Sequence, residues 1–125
     1  MNADRAARGA RAHRDGLSAE DLACAALMQS GWTILARRLR TEAGEIDVIA
    51  DLAGLLAIIE VKQRPTLADA AYAVSKRQQG RLIAAAGAVL AKHPDWGAAG
   101  VRFDVIMVDA AGTVRRITDA FRAEI

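Results

Sequence analysis

Two carboxylates and a lysine, Asp47, Glu60 and Lys62, stand in the run GEIDVIADLAGLLAIIEVKQR from Gly44 to Arg64, which is otherwise largely apolar. An Asp and a Glu that converge in space can seat a divalent cation, because Mg²⁺ is commonly held by one or two carboxylates, with water and a substrate phosphate completing its shell. Such a cation supplies Lewis-acid charge to a phosphodiester, and a neighbouring ammonium offsets the negative charge that develops when the phosphate is attacked. Glu45 is a fourth charged residue in the same run. Whether these groups meet depends on how the run folds.

The run reads as two strands joined by a tight turn at Asp51–Gly54. Strand side chains alternate between faces, so Ile46, Val48 and Ala50 are expected opposite Glu45, Asp47 and Ile49. In the following strand Leu56, Ile58, Glu60 and Lys62 share a face. In either of two registers open to such a hairpin, Asp47 lies diagonal to or directly opposite Glu60. Two ionised carboxylates ~4 Å apart repel by ~4 kcal/mol at an effective dielectric of ~20. Lys62 or a divalent ion can offset that repulsion. The same charges can also line a solvated face as ordinary cross-strand pairs. Against this, Leu56 and Ile58 precede Glu60 on its face, which places the charges at the end of a buried stripe, as at the rim of a cleft.

The elements around the run follow from their own signals. Ser18 and Asp21 have capping-box spacing and open a helix over 18–30, with Leu22, Ala25, Ala26, Leu27 and Met28 apolar and Gly31 closing it. Trp32–Leu39 suits a strand, and Thr41–Gly44 a turn. Thr66–Tyr72 is a short helix or a loop. Ser75 caps a long helix that runs to His93 before Pro94, its buried stripe being Leu82, Ile83, Ala86, Val89 and Leu90. Val101–Asp109 is a strand, Ala110–Thr113 a hairpin turn and Val114–Ile117 a last strand, after which Thr118 opens a helical turn through Phe121. Helix, three strands, helix and two strands make an α/β (α+β) domain with one mixed central sheet flanked by helices.

A chain of 125 residues suits one domain. Its 53% hydrophobic content includes only 4% aromatics, so the core is expected from Leu, Ile, Val and Ala. Of 17 Lys plus Arg and 15 Asp plus Glu, residues 1–16 hold four and two, leaving 13 of each sign over residues 17–125. Residues 1–16 therefore read as a basic flexible tail and 17–125 as the domain, whose bulk charge makes no case for nucleic acid; only local patches can. Those patches are Arg37, Arg38 and Arg40; Arg64; and Lys76, Arg77 and Arg81, where Arg77 and Arg81 share a helix face. Cys24, the one cysteine, excludes an internal disulfide and a cysteine-based metal site, and reads as a small apolar helix residue. His13 and His93 lack metal-ligand spacing and read as surface residues. With neither a secretory signal nor a long apolar run, no membrane association is expected and a cytoplasmic location is the default.

Asp47, followed after a hairpin by Glu60-Val61-Lys62, resembles the D…(D/E)-x-K core of the PD-(D/E)XK nucleases, whose fold is restriction-endonuclease-like. A wider set of residues resembles the YraN family of bacterial proteins over nearly the whole chain after residue 15. It comprises GEIDVIA, IIEVKQR, the capped helix with Ala19-Glu20, the Lys76…Arg81-Leu82 helix and Arg102-Phe103-Asp104-Val105. The proline of the superfamily pattern is replaced by Ile46.

The resemblance implies a restriction-endonuclease-like domain that hydrolyses DNA phosphodiester bonds with Mg²⁺ or Mn²⁺, on branched or repair and recombination intermediates. It implies metal-binding carboxylates at Asp47 and Glu60, a further ligand in the Val61 carbonyl, a catalytic lysine at Lys62 and a completing helix carboxylate at Glu20. Lys76 or Gln78 would help hold the site or the nucleic acid, and Glu45 would be an auxiliary ligand or a rim charge. A homodimer is compatible with two-strand cleavage. The alternative is a catalytically inactive nucleic-acid-binding module of the same fold.

Overall fold

Ser18 starts the first helix as its spacing predicts. Its hydroxyl accepts the Asp21 N–H at 3.1 Å, and the Asp21 carboxylate accepts the Ser18 N–H at 2.8 Å, so two orphan donors of the first turn are satisfied reciprocally. Ser18→Ala is expected to cost about 1 kcal/mol, read as a lower denaturant midpoint at unchanged slope. The computed structural model describes residues 17–66 and 74–123. The basic tail over 1–16, and all of the expected helix or loop at 66–72 except Thr66, lie outside the described residues.

The elements are α1 (Ala19–Gln29), β1 (Thr33–Thr41), β2 (Gly44–Leu52), β3 (Leu55–Gln63), α2 (Lys76–Lys92), β4 (Gly100–Val108) and β5 (Val114–Phe121). The strands form one sheet in the order β1-β2-β3-β4-β5. All neighbours are antiparallel except β3 and β4, which run parallel across the crossover made by α2. The β2–β3 turn is two residues, Ala53 and Gly54, both with positive φ as a type I′ hairpin requires. Ser75 caps α2 and His93 closes it before Pro94. This is the mixed α/β architecture of a restriction-endonuclease-like fold.

Two cores cover the two faces of the sheet. Ala23, Cys24 and Leu27 of α1 pack with Trp32, Val48, Ala50, Ala57, Ile59, Ile106 and Val108. Leu82, Ala85, Ala86 and Val89 of α2 pack with Ile46, Ile49, Leu56, Ile58 and Phe103. Strand β3 alternates cleanly between them and has no exposed residue from Leu55 to Lys62, as suits a central strand. On α1 the buried face differs from the expected one: Ala25 and Met28 are exposed, while Ala23 and Cys24 turn inward.

Strand β2 departs from strict alternation. Ile46 packs on the α2 side whereas Val48 and Ala50 pack on the α1 side, so the phase resets at Asp47 and the expected common face for Ile46, Val48 and Ala50 does not form. The reset has a partner on β1. Arg38, with φ of 50°, lies between the pairs Arg37–Val48 and Leu39–Ile46, as Asp47 does on β2. A left-handed φ at a non-glycine strand residue is uncommon and kinks the strand.

A third correction concerns Thr118–Phe121, which continues β5 rather than forming a helical turn. Long-range contacts outweigh the capping signal of Thr118: Phe121 stacks on Phe103 at 5.0 Å between ring centroids, and the Asp119 N–H donates to the buried Asp104 carboxylate at 2.9 Å. That carboxylate also takes a bidentate pair from Arg102, both bonds 2.8 Å, and the Arg102 guanidinium lies 5.4 Å over the Trp32 ring. His93 is partly exposed and stacks on Trp96 at 3.8 Å between ring centroids. His13 lies outside the described residues.

Candidate metal centre and its surroundings

The β2–β3 pairing holds from Leu52–Leu55 to Val48–Ile59, the register that sets Asp47 beside Glu60. Beyond that point a side chain replaces the main-chain ladder, because the Val61 N–H donates to Asp47 Oδ2 at 2.8 Å. The parallel β3–β4 pairing meanwhile continues to Gln63–Val108. Asp47 thus pins the end of the β2–β3 ladder where the carboxylates converge.

Glu60 is 6% exposed. Its Oε1 accepts the Gln78 side-chain amide of α2 at 2.7 Å and lies 3.4 Å from Lys62 Nζ. Its Oε2 is buried and has no hydrogen-bond partner among the described residues. A buried polar atom without a partner is rare, because the full desolvation cost then goes uncompensated. A cation beside Asp47 and Glu60 would supply the missing contact, so the donor set fits a hard divalent ion with oxygen ligands.

The electrostatics agree. Burial raises the Asp47 carboxyl above its ordinary range; the Val61 N–H opposes this, and the charges of Glu20 and Glu45 add to it. Burial raises Glu60 as well, with Asp47 adding and Lys62 and Arg81 opposing. Charging either group therefore opposes folding. Their contribution to stability is present below the unfolded pKa and is lost as pH rises through the folded one. Asp21 has the opposite sign: hydrogen bonds from the Ser18 main chain, Arg37 and the Ser18 hydroxyl lower it from 3.8 to about 2, so its contribution persists above 3.8 and fades as pH falls toward 2. In EDTA the stability gap between Glu60→Gln and wild type should open in favour of the variant as pH rises from below 4.5 toward the raised folded pKa of Glu60. Denaturant midpoints over a pH series test it; a gap that is constant from acid to neutral pH contradicts it.

The other candidate residues distribute as follows. Glu20, on the first turn of α1, is buried and close enough to raise the Asp47 pKa, but both of its oxygens are engaged: Oε1 by Arg37 Nε at 2.9 Å and Oε2 by Arg38 Nε at 3.2 Å. Asp21 holds the same Arg37 at 2.7 Å. Among the described residues no three His, Cys, Asp or Glu side chains form a group able to hold a metal ion. Glu45 is a half-exposed rim charge 3.8 Å from Arg40. Arg81 is half-buried and donates to the Glu45 carbonyl at 3.2 Å, tying α2 to β2. Arg77, Gln78, Arg81 and the Ser75 cap line a cleft of about 390 Å³ at the start of α2. Lys76 is exposed there, and Arg64 donates to the neighbouring Gln63 carbonyl at 2.8 Å.

Sequence reasoning missed the joint role of Arg37, Glu20 and Asp21. Its only trace is the adjacent pair Arg37-Arg38, which strict alternation would send to opposite faces. Cys24 is a buried helix residue whose thiol is raised by burial, as a small core residue should be.

The model of the uncharacterised protein family UPF0102 matches residues 19–108, the span from α1 to the end of β4. A UPF0102 protein of Granulibacter bethesdensis is 65% identical over 117 residues, covering 94% of this chain and 74% of its own length. UPF0102 proteins of Rhodopseudomonas palustris and of a Bradyrhizobium species are 50% and 52% identical over 112 residues, covering 90% of this chain and 86% and 79% of their own lengths. The matched span includes Asp47, Glu60 and Lys62. The chain belongs to the uncharacterised protein family UPF0102, the YraN family that its motif residues resemble.

Proposed function

We propose that this chain is a divalent-metal-dependent nuclease that hydrolyses DNA phosphodiester bonds, with branched repair or recombination intermediates among its substrates. The observation that carries the reading is Glu60 Oε2, a buried carboxylate oxygen without a partner among the described residues, beside a second carboxylate whose charge burial also penalises. When bound there, Mg²⁺ or Mn²⁺ supplies Lewis-acid charge to the scissile phosphate.

The chain's own residues do the rest. Gln78 fixes the Glu60 carboxylate through Oε1. Asp47 is fixed by the Val61 N–H, and the Val61 carbonyl is the further ligand proposed. Lys62 has a side chain only 19% exposed, so its ammonium acts in partly desolvated surroundings. There it offsets charge on the attacked phosphate and positions water, as an electrostatic stabiliser first and a base second, with its ammonium 3.4 Å from Glu60 Oε1. Arg38, Arg77 and Lys76 on the exposed surface, with Arg64 beside the motif, supply phosphate contacts. Arg81 acts mainly by holding α2 against β2.

A second reading, a nuclease-fold module that binds nucleic acid without cutting, is favoured by one observation: Glu20 is engaged by two arginines, leaving two carboxylates where many such sites use three. Cleavage assays on branched, duplex and single-stranded DNA in Mg²⁺ and Mn²⁺ separate the two. Activity lost in EDTA supports the nuclease. Binding that weakens steeply with salt, without cleavage under any condition, supports the module.

A further inference from the structure

Arg37 and Arg38 are consecutive strand residues, yet both reach one carboxylate. They would ordinarily point to opposite faces. The left-handed φ of 50° at Arg38 brings them together, a strained conformation at a residue whose side chain is 66% exposed. Strain of this kind persists only where surrounding contacts impose it, and it gathers at functional sites. Here it presents two guanidinium groups side by side, with the buried Glu20 carboxylate between them and Asp47 within electrostatic reach beyond. Glu20 is therefore an anion held in an arginine fork next to a site that lacks a third anion.

We propose that Arg37 and Arg38 form a phosphate clamp, occupied by Glu20 in the free protein, and that a backbone phosphodiester of the nucleic acid displaces Glu20 toward Asp47 and Glu60. The inference deepens the nuclease reading and rests on it. The Arg38 arm of the fork is open to exchange because its guanidinium is 66% exposed, and a phosphodiester engages guanidinium forks and releases counterions from the nucleic acid. Substrate and metal then bind cooperatively through one carboxylate, and the coupling is reciprocal. The third carboxylate reaches the metal seat only when nucleic acid is present, which keeps an unliganded protein from assembling a complete site.

Two measurements with opposite signs test it. Binding of a fluorescein-labelled duplex oligonucleotide is followed by anisotropy in EDTA. Binding of Mn²⁺ to the protein alone is followed by the loss of the free-ion paramagnetic resonance signal. Arg38→Ala should weaken duplex binding and lower the salt slope by about one, as loss of one phosphate contact does. The same variant should bind Mn²⁺ about two- to fivefold more tightly than wild type, since Glu20 loses a competitor. Glu20→Gln should do the reverse, binding duplex about two- to fivefold more tightly and Mn²⁺ no better than wild type.

Arg38→Gly repeats the test without the backbone strain, in case the alanine variant folds poorly, and should give the same two signs. Unchanged or weaker Mn²⁺ binding in both Arg38 variants overturns the clamp. So does duplex binding that Glu20→Gln fails to improve. If wild type binds Mn²⁺ and Asp47→Asn does not, those results leave the nuclease reading standing. Absence of any Mn²⁺ binding by wild type removes that reading and the clamp together.

Discussion

Asp47→Asn is expected to cleave DNA about 10³-fold more slowly than wild type, or slower still, which at 1.36 kcal/mol per decade is roughly 4 kcal/mol of barrier. The asparagine carbonyl can still accept the Val61 N–H, so the end of the β2–β3 ladder stays pinned and the lost activity reports on charge at the metal seat. Lys62→Ala should lose about 10²- to 10³-fold, the scale of removing one preorganised charge-stabilising donor. Asp47→Asn should not weaken duplex binding in EDTA, because Asp47 is not among the proposed phosphate contacts, whereas Lys62→Ala removes a cation from the attacked phosphate and should weaken it. Cleavage at the wild-type rate by either variant removes these residues from the site, and a parallel fall in folding stability for Asp47→Asn reassigns that residue to structure.

The second large effect is on stability. A cation that binds only the folded state stabilises it by about 2.7 kcal/mol at a hundredfold excess over its dissociation constant, roughly 10 °C in melting temperature for a domain of this size. Wild type should gain that from saturating Mn²⁺. Glu60→Gln should gain little, because it lacks the unpartnered carboxylate oxygen. In EDTA the order reverses, since the net environment of Glu60 disfavours its charge despite Lys62 and Arg81. Glu60→Gln should then melt above wild type. Removing the carboxylate proposed to seat the metal should thus stabilise the metal-free protein, a trade-off typical of sites built around repelling charges. Equal Mn²⁺ shifts in wild type and Glu60→Gln would place the ion elsewhere.

Much of this site was legible in the sequence because the hairpin encodes its own geometry. Two-residue alternation and a tight turn were enough to bring Asp47 to Glu60, and the capping signals at Ser18 and Ser75 located both helices. The kink was not legible, since nothing in the identities of Arg38 and Asp47 announces a left-handed φ or a phase reset that moves Ile46 to the α2 side. The continuation of β5 past Thr118 was equally hidden. It depends on Phe103 and Asp104, which lie far away in the chain, and local capping chemistry pointed the other way. Alternation and caps are local, whereas strain and edge pairing are settled by the tertiary structure.

Strand β1 forms one edge of the sheet, and it carries Arg37, Arg38 and Arg40 exposed along it. An open strand edge is a template for another strand, and charge on that edge is a common defence against unwanted pairing. A second copy adding its own β1 here in antiparallel fashion would bring two rows of arginines face to face. Its kink would also break the ladder at Arg38. Self-association through sheet extension at this edge is thereby disfavoured, and the residues proposed to hold a phosphate also help keep the edge free of other chains. Stripping these arginines would remove the edge's charge and the proposed phosphate contacts together.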